Sequence, residues 1–392
     1  MDRRISVIGL GAFAVSTIAF VFAGLLPLIA SDIGVSVSQA GYLATAYATA
    51  YAVLTPVMTA LGGRFNRRHV LAAALALFIA GTVLTAVSTT IVMLVLAQIV
   101  TGMAAGLFSA TGLAVAVTLS APQRRAAAIS IVVAGTTLAV AVGAPLGSLV
   151  AHLLGWRMAF AAIAAMALSC LIILWLQLPK TLHGARVPLR ERLAVVRRPG
   201  IARLLSTTFC TVSGAFAVVV YIGPIAIEGV HFAPDVLPFV LLAYGIGSIS
   251  GNIISGRVAD RIGARRVVIA ALALSIGVAL ALAMVVAFLP PRVAQPVLLV
   301  LLFLWGLIGW AYSPAQTTRV VTAAPEAAHL SLALQMSITY LAIATGTFLG
   351  GRVLDSAPIA VLGLVAAVLA GLALVLVVTE RRPVPGLAPV RL

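Results

Sequence analysis

Acidic residues are almost missing from this chain. Nine Asp and Glu stand among 392 residues, and charged residues of both signs make up only 9%. A soluble domain carries roughly 25% charged residues, so this chain cannot cover a water-exposed surface. The acids are Asp2, Asp32, Glu191, Glu228, Asp235, Asp260, Glu326, Asp355 and Glu380. None falls near the middle of an apolar run, so the convergent groups that an enzyme buried in the membrane would need are absent, and no catalytic residue is expected. The histidines His69, His152, His183, His231 and His329 also sit at run ends or between runs. Cys170 and Cys210 lie inside apolar runs with no Cys-x-x-Cys spacing. They read as small packing residues, and no metal site or cofactor is expected.

Apolar residues are abundant, at 62%. A membrane span needs about 20 mainly apolar residues. Twelve are predicted, at 5–29, 39–62, 70–89, 91–118, 126–151, 157–178, 204–227, 236–255, 267–289, 295–317, 329–350 and 357–379. The first run is longer than the roughly 7–15 apolar residues of a cleavable signal, so it is expected to be retained as a span.

The 25 Lys and Arg collect in alternate gaps. Arg3 and Arg4 come first, followed by Arg64, Arg67 and Arg68, and then Arg124 and Arg125. A dense group runs from Lys180 to Arg203. Arg257, Arg261, Arg265 and Arg266 follow, then Arg319, and finally Arg381, Arg382 and Arg391. The intervening gaps hold only Arg157, Arg292 and Arg352. This alternation is the positive-inside pattern and predicts that both termini are cytoplasmic. The net charge of +16 is read as loop charge facing anionic lipid heads. No aromatic-interleaved basic patch points to nucleic acid.

One long polar connection, 180–203, divides the runs six and six. The expected organisation is a six-helix bundle over 1–179, a basic linker over 180–203, a second six-helix bundle over 204–380 and a short tail over 381–392. Both halves carry a Gly-led, Arg-rich stretch after their second span: Gly62-Gly63-Arg64-Phe65-Asn66-Arg67-Arg68 and Gly256-Arg257-Val258-Ala259-Asp260-Arg261-Ile262-Gly263-Ala264-Arg265-Arg266. Both carry Gly-x-x-x-Gly in their fifth span, at Gly143/Gly147 and Gly346/Gly350. Such landmarks suggest a repeat about an axis along the membrane normal.

On these residues the chain resembles the major facilitator superfamily. Gly256 to Arg266 is similar to its Gly-x-x-x-Asp-Arg-x-Gly-Arg-Arg signature, with Ala264 shifting the basic pair by one. Gly143-Ala144-Pro145-Leu146-Gly147 and Gly155-Trp156-Arg157-Met158-Ala159-Phe160 are similar to motifs of its drug:proton antiporter-1-like efflux branch. Gly24-Leu25-Leu26-Pro27-Leu28-Ile29-Ala30 resembles the end of span one in bacterial sugar-, arabinose- and purine-efflux permeases, and Trp305-Gly306-Leu307 with Ser313-Pro314-Ala315-Gln316 resembles span ten of purine-efflux permeases. The resemblance implies an all-α integral membrane protein of two six-helix pseudo-repeats in a bacterial cytoplasmic membrane. It also implies a monomer that exports a small organic solute by alternating access, with proton antiport. Two positions depart from the pattern. Ala19 stands where an acid is usual and Gln98 where an Arg is usual. The joint loss is physically coherent, because a lone charge at mid-membrane costs at least about 2.5–3.5 kcal/mol.

The polar groups left inside the spans are neutral. Candidate solute ligands are Thr17, Phe20, Tyr47, Gln98, Thr101, Tyr221, Tyr244, Asn252, Trp305, Gln316, Gln335 and Tyr340. Together they suit an uncharged solute with a flat ring or hydroxyls. Each has a competing reading as a packing contact between neighbouring helices. Gln98 stands out because its amide both donates and accepts. Gly143, Pro145, Gly147, Gly346 and Gly350 are expected to line the seam between the halves and to move during the cycle. Gly256, Asp260, Arg261 and Arg265 are expected to form a latch, with Arg pairing the acid. Glu228 reads either as a proton acceptor in the exit mouth or as a solvated helix-end acid beside His231. An uncoupled facilitator or an importer, and more remotely a non-transporting receptor or scaffold, are the competing functions. The expected partners are a small-molecule solute and the lipid bilayer.

Overall fold

The computed structural model describes residues 3–180, 182 and 200–380. Most of the expected linker and all of the expected tail lie outside these residues. Twelve helices in the described residues are long and apolar enough to cross a membrane. The first six are α1 (Arg3–Ile33), α2 (Val37–Gly62), α3 (Arg67–Val87), α4 (Ile91–Thr118), α5 (Arg125–Leu138 continuing through Ala144–Leu154) and α6 (Trp156–Gln177). The second six are α7 (Ile201–Val219), α8 (Leu237–Ile262), α9 (Ala264–Phe288), α10 (Pro291–Ala323), α11 (Ala328–Ser356) and α12 (Val361–Val378). Helices are what lipid permits, since each satisfies its own backbone. Their starts are sealed locally. Ser36 and Gln39 form a capping box on α2, Asn66 caps α3 and Thr90 caps α4.

The two sets of six pack alike. In the first, α1 meets α5 and α6, α2 meets α4, and α3 meets α4 and α6. In the second, α7 meets α11 and α12, α8 meets α10, and α9 meets α10 and α12. Each pairing recurs six helices later. Across the seam, α2 meets α11 and α5 meets α8, while α1 meets the short extension Ile222–Pro224 beyond α7.

Glycine sets these distances, but not where the sequence placed it. A Cβ at Gly143 would lie 2.4 Å from Thr17 Oγ1, and one at Gly147 2.4 Å from Val21. Gly346 and Gly350 face Ser213 O and Ala217 O at 2.2 and 2.8 Å in the same sense. The fifth-span glycines therefore seat α5 on α1 and α11 on α7, inside each half, rather than lining the seam. Gly102 against Tyr47 O and Gly247 against Phe303 O do the same for α2–α4 and α8–α10. The seam has its own close approach, with Gly245 of α8 against the Ala141 backbone at 2.6 Å. Ala141 lies in a π turn, Ala139–Gly143, immediately before Pro145. Pro145 lacks an N–H and crowds the carbonyl four residues back, so the turn widens there.

The expected latch is also arranged differently. Gly256, Asp260 and Arg261 belong to the last turns of α8, and Gly263 at φ +85° makes the turn into α9 by itself. That left-handed conformation suits glycine alone. Asp260 and Arg261 are exposed. Arg265 turns instead to Glu380, at 3.7 Å, and to the carbonyls of Val377 and Val378. Glu380 also pairs with the buried Arg319 at 2.6 Å, and Arg319 holds Gln316 Oε1 at 2.8 Å. The first half has a counterpart: Arg68 donates to Trp175 O near the end of α6 and lies 4.5 Å over its ring. In both halves an Arg from the third helix neutralises the carbonyl end of the sixth.

Two predictions follow from this packing. Gly346→Val forces a side chain into the Ser213 backbone and should destabilise the detergent-solubilised protein by about 1–3 kcal/mol. Gly277→Ala, whose Cβ meets nothing within 4 Å, should leave the melting temperature unchanged. Glu380→Ala strands Arg319 and should cost about 3 kcal/mol, whereas Arg319→Met with Glu380→Leu should recover most of it. Thermal unfolding of the four variants reads both.

Candidate solute site at the seam between the halves

Aromatic rings from both halves meet at mid-depth. Tyr51 of α2 and Tyr340 of α11 stack with centroids 3.4 Å apart and planes 12° apart. Tyr47, one turn earlier on α2, lies 6.4 Å from Tyr51 and 6.5 Å from Tyr340. A second group joins Phe20 of α1 to Phe216 of α7 at 6.0 Å and to Trp310 of α10 at 6.3 Å. At 1.5 Å rise per residue these side chains stand about 16–26 Å from the Arg-rich helix ends, near the middle of a bilayer core about 30 Å thick. Tyr244 of α8 is buried, its carbonyl accepting from Ser248 Oγ of the same helix at 2.9 Å. Phe216 is not singled out by the sequence, and Tyr51 and Trp310, neutral polar groups within their spans, are not among the candidate ligands. Periodicity places an aromatic on a helix face but does not say which helix of the other half that face meets.

The sequence-derived candidates divide between the seam and the interiors of the halves. Phe20 and Tyr340 meet the opposite half as described. Asn252 of α8 donates to Thr137 Oγ1 of α5 at 3.0 Å, a neutral hydrogen bond across the seam. Tyr47 bonds Val15 O within its own half while edging toward Tyr340.

The remaining polar candidates turn inward. Gln98 is fully buried and donates to Thr85 Oγ1 of α3 at 2.9 Å. Its Oε1 has no hydrogen-bond partner among the described residues. Thr101 bonds Ala97 O and faces Gly81 of α3, and Thr17 bonds Phe13 O and faces Gly143 of α5. Gln316 donates to Leu204 O, and Gln335 donates to Thr317 Oγ1 of α10. Trp305 lines a small cavity inside the second half with Thr211, Ser275 and Tyr312. In lipid a hydroxyl or amide takes the nearest acceptor, and that acceptor usually lies in its own bundle.

Toward the Arg-poor ends the seam is shut. Tyr221 is fully buried and donates to Thr347 O of α11 at 2.8 Å. Its hydroxyl fits where a Cβ on Gly41 of α2 or Gly351 of α11 would stand, at 2.3 and 2.8 Å. Tyr221 is therefore a wedge between α2 and α11 rather than a cavity wall. Beside it, Ser38 of α2 donates to Asp355 of α11 at 2.9 Å, and Tyr42 stacks on Phe348 at 6.2 Å. Glu228 lies exposed in the π turn Ile225–Gly229 at this same end. Asp32 and Arg157 pair at 2.5 Å within the first half, with Trp156 also donating to Asp32. Among the described residues no group of His, Cys, Asp and Glu could hold a metal ion.

Comparison with known proteins agrees with this architecture. The family model of the Major Facilitator Superfamily matches residues 8–347 and matches again over 204–390. The inner membrane transport protein YdhP of Escherichia coli strain K12 is 32% identical over 381 residues, 96% of each chain. The uncharacterized MFS-type transporter YbcL of Bacillus subtilis strain 168 is 30% identical over 375 residues, 94% of this chain and 95% of that protein. A crystal structure of a D-xylose–proton symporter superposes with a TM-score of 0.75, covering 97% of this chain and 98% of the other at 17% identity, a likeness of fold. With twelve spans, the recurrent six-helix packing and a family match over most of its length, this multi-pass membrane protein belongs to the major facilitator superfamily of transporters.

Proposed function

We propose that the chain exports a small, uncharged organic solute across the bacterial cytoplasmic membrane by alternating access, with its Arg-rich face and both termini in the cytoplasm. The exporting direction rests on the resemblance of the Gly24-Leu25-Leu26-Pro27 and Gly143–Gly147 stretches to efflux permeases. The observation that carries alternating access is the one-sided seal. Tyr221 in its glycine notch and Ser38 on Asp355 join the halves at the Arg-poor ends, and Asn252 on Thr137 and Tyr51 on Tyr340 join them near mid-depth. A seam whose mid-depth contacts are neutral, with Asp355 held at the helix end beside Arg352, can part without stranding a charge in lipid. The two halves, each held by glycine contacts, are suited to rocking as units about it.

A second reading concerns coupling. The resemblance implies proton antiport, but Ala19 and Gln98 occupy the places of the usual acid and base. Among the described residues the acids stand toward helix ends, which favours flux without ion coupling. Solute uptake into inverted vesicles, measured with and without a pH gradient, separates the two. Equal initial rates and plateaus are expected for a facilitator, and a plateau raised by the gradient would restore antiport.

The seal itself is testable. In a chain with Cys170 and Cys210 replaced by Ala, Ser38→Cys with Asp355→Cys should react with a short thiol cross-linker. Flux should then fall at least tenfold and return on reduction. Full flux through the cross-linked protein would contradict alternating access at this seam.

A further inference from the structure

We propose that Tyr51 and Tyr340 form a ring clamp that selects a flat, uncharged aromatic solute, and that their mutual stack is the empty state of that site. The inference rests on the transport reading above and narrows its solute class.

Three features carry it. The first is geometry. A centroid spacing of 3.4 Å at 12° is an almost eclipsed sandwich. Two identical phenol rings avoid that arrangement, because their electron-rich faces repel, and prefer offset or edge-on contact. Elsewhere along the seam the rings do adopt tilted contacts, as in Phe20–Phe216 and Phe20–Trp310 at 47°. The Tyr51–Tyr340 pair is held flat by the helices that carry it. An electron-poor ring placed between the faces would turn one poor stack into two good ones.

The second feature is provenance. Tyr51 belongs to the first half and Tyr340 to the second, so a solute entering between them must part α2 from α11. Occupancy is thereby read as a displacement of one half against the other. The third is chemistry. The pair is buried, with 3% and 8% of each residue exposed. Its nearest aromatic neighbour is the neutral Tyr47, whose hydroxyl is already engaged by Val15 O. The two phenol hydroxyls supply a neutral polar edge. A stacked slot with an uncharged rim suits a planar heteroaromatic ring. It suits a sugar poorly, because a puckered ring studded with hydroxyls offers neither a flat face nor enough partners for its donors.

The test uses the full chain in proteoliposomes. The flat probes are adenine, hypoxanthine and quinoline, and the puckered probes are D-xylose, L-arabinose and myo-inositol. Equilibrium binding and counterflow are measured for each. At least one flat probe should bind and exchange. Tyr51→Leu and Tyr340→Leu should each weaken it about tenfold or more, as expected when one base–aromatic stack is removed. The Tyr51→Phe variant, which keeps the ring, should restore most of the affinity. Fluorescence-detected size exclusion establishes that the Leu variants are folded. Binding of flat probes unchanged by both Leu substitutions would overturn the clamp, and so would binding confined to the puckered probes or to none of the six. If a probe exchanges through the wild type while ignoring the Leu variants, the transport reading survives and only the clamp fails. If flat probes bind but none exchanges, the transport reading fails instead.

Discussion

Inside a bilayer there is no water to rescue an unpaired polar group, and this constraint shapes the whole molecule. It forces twelve self-satisfied helices. It withdraws the association energy that water gives apolar helices, so contact must come from close packing of small residues. The glycines of α4, α5, α8 and α11 bring partner helices so near that a Cβ would overlap a carbonyl or side-chain atom. Each half becomes a tightly packed unit, and motion is left to the surface between them.

Charge is handled under the same constraint. Buried Arg319 is tolerated because Glu380, Gln316 and the end of α12 surround it at the Arg-rich face. At mid-depth the halves meet through rings, one amide–hydroxyl bond and backbone, and those contacts can be made and broken at modest cost. The arginines thus anchor orientation at the helix ends, and the neutral seam is left for the solute.

The count of helices, their grouping by six and the repeat were legible in the sequence, because apolar length and alternating arginines respond to the bilayer directly. The helix ends were less so. α8 and α10 run on past the apolar stretch, so Gly256–Ile262 reads as a loop although it is helical. Glycine spacing signals close approach without naming the partner: the repeat places Gly143 and Gly346 at the seam, and the structure seats them against α1 and α7. Thr17, Gln98, Thr101 and Gln316 stand out in the sequence as solute candidates because they are polar in an apolar run. The structure gives each a partner in its own half. What decides such cases is which neighbour is nearest, and that depends on tertiary packing. The Tyr51–Tyr340 stack was invisible for the same reason.

The central proposal is that the seam, shut toward the Arg-poor ends, parts on the Arg-rich side, which the proposed topology sets in the cytoplasm. Its most direct test is Asn252→Cys in a chain with Cys170 and Cys210 replaced, treated with a membrane-impermeant maleimide in inverted and in right-side-out vesicles. The account predicts faster labelling in inverted vesicles. Faster labelling in right-side-out vesicles, or none from either side, would contradict it.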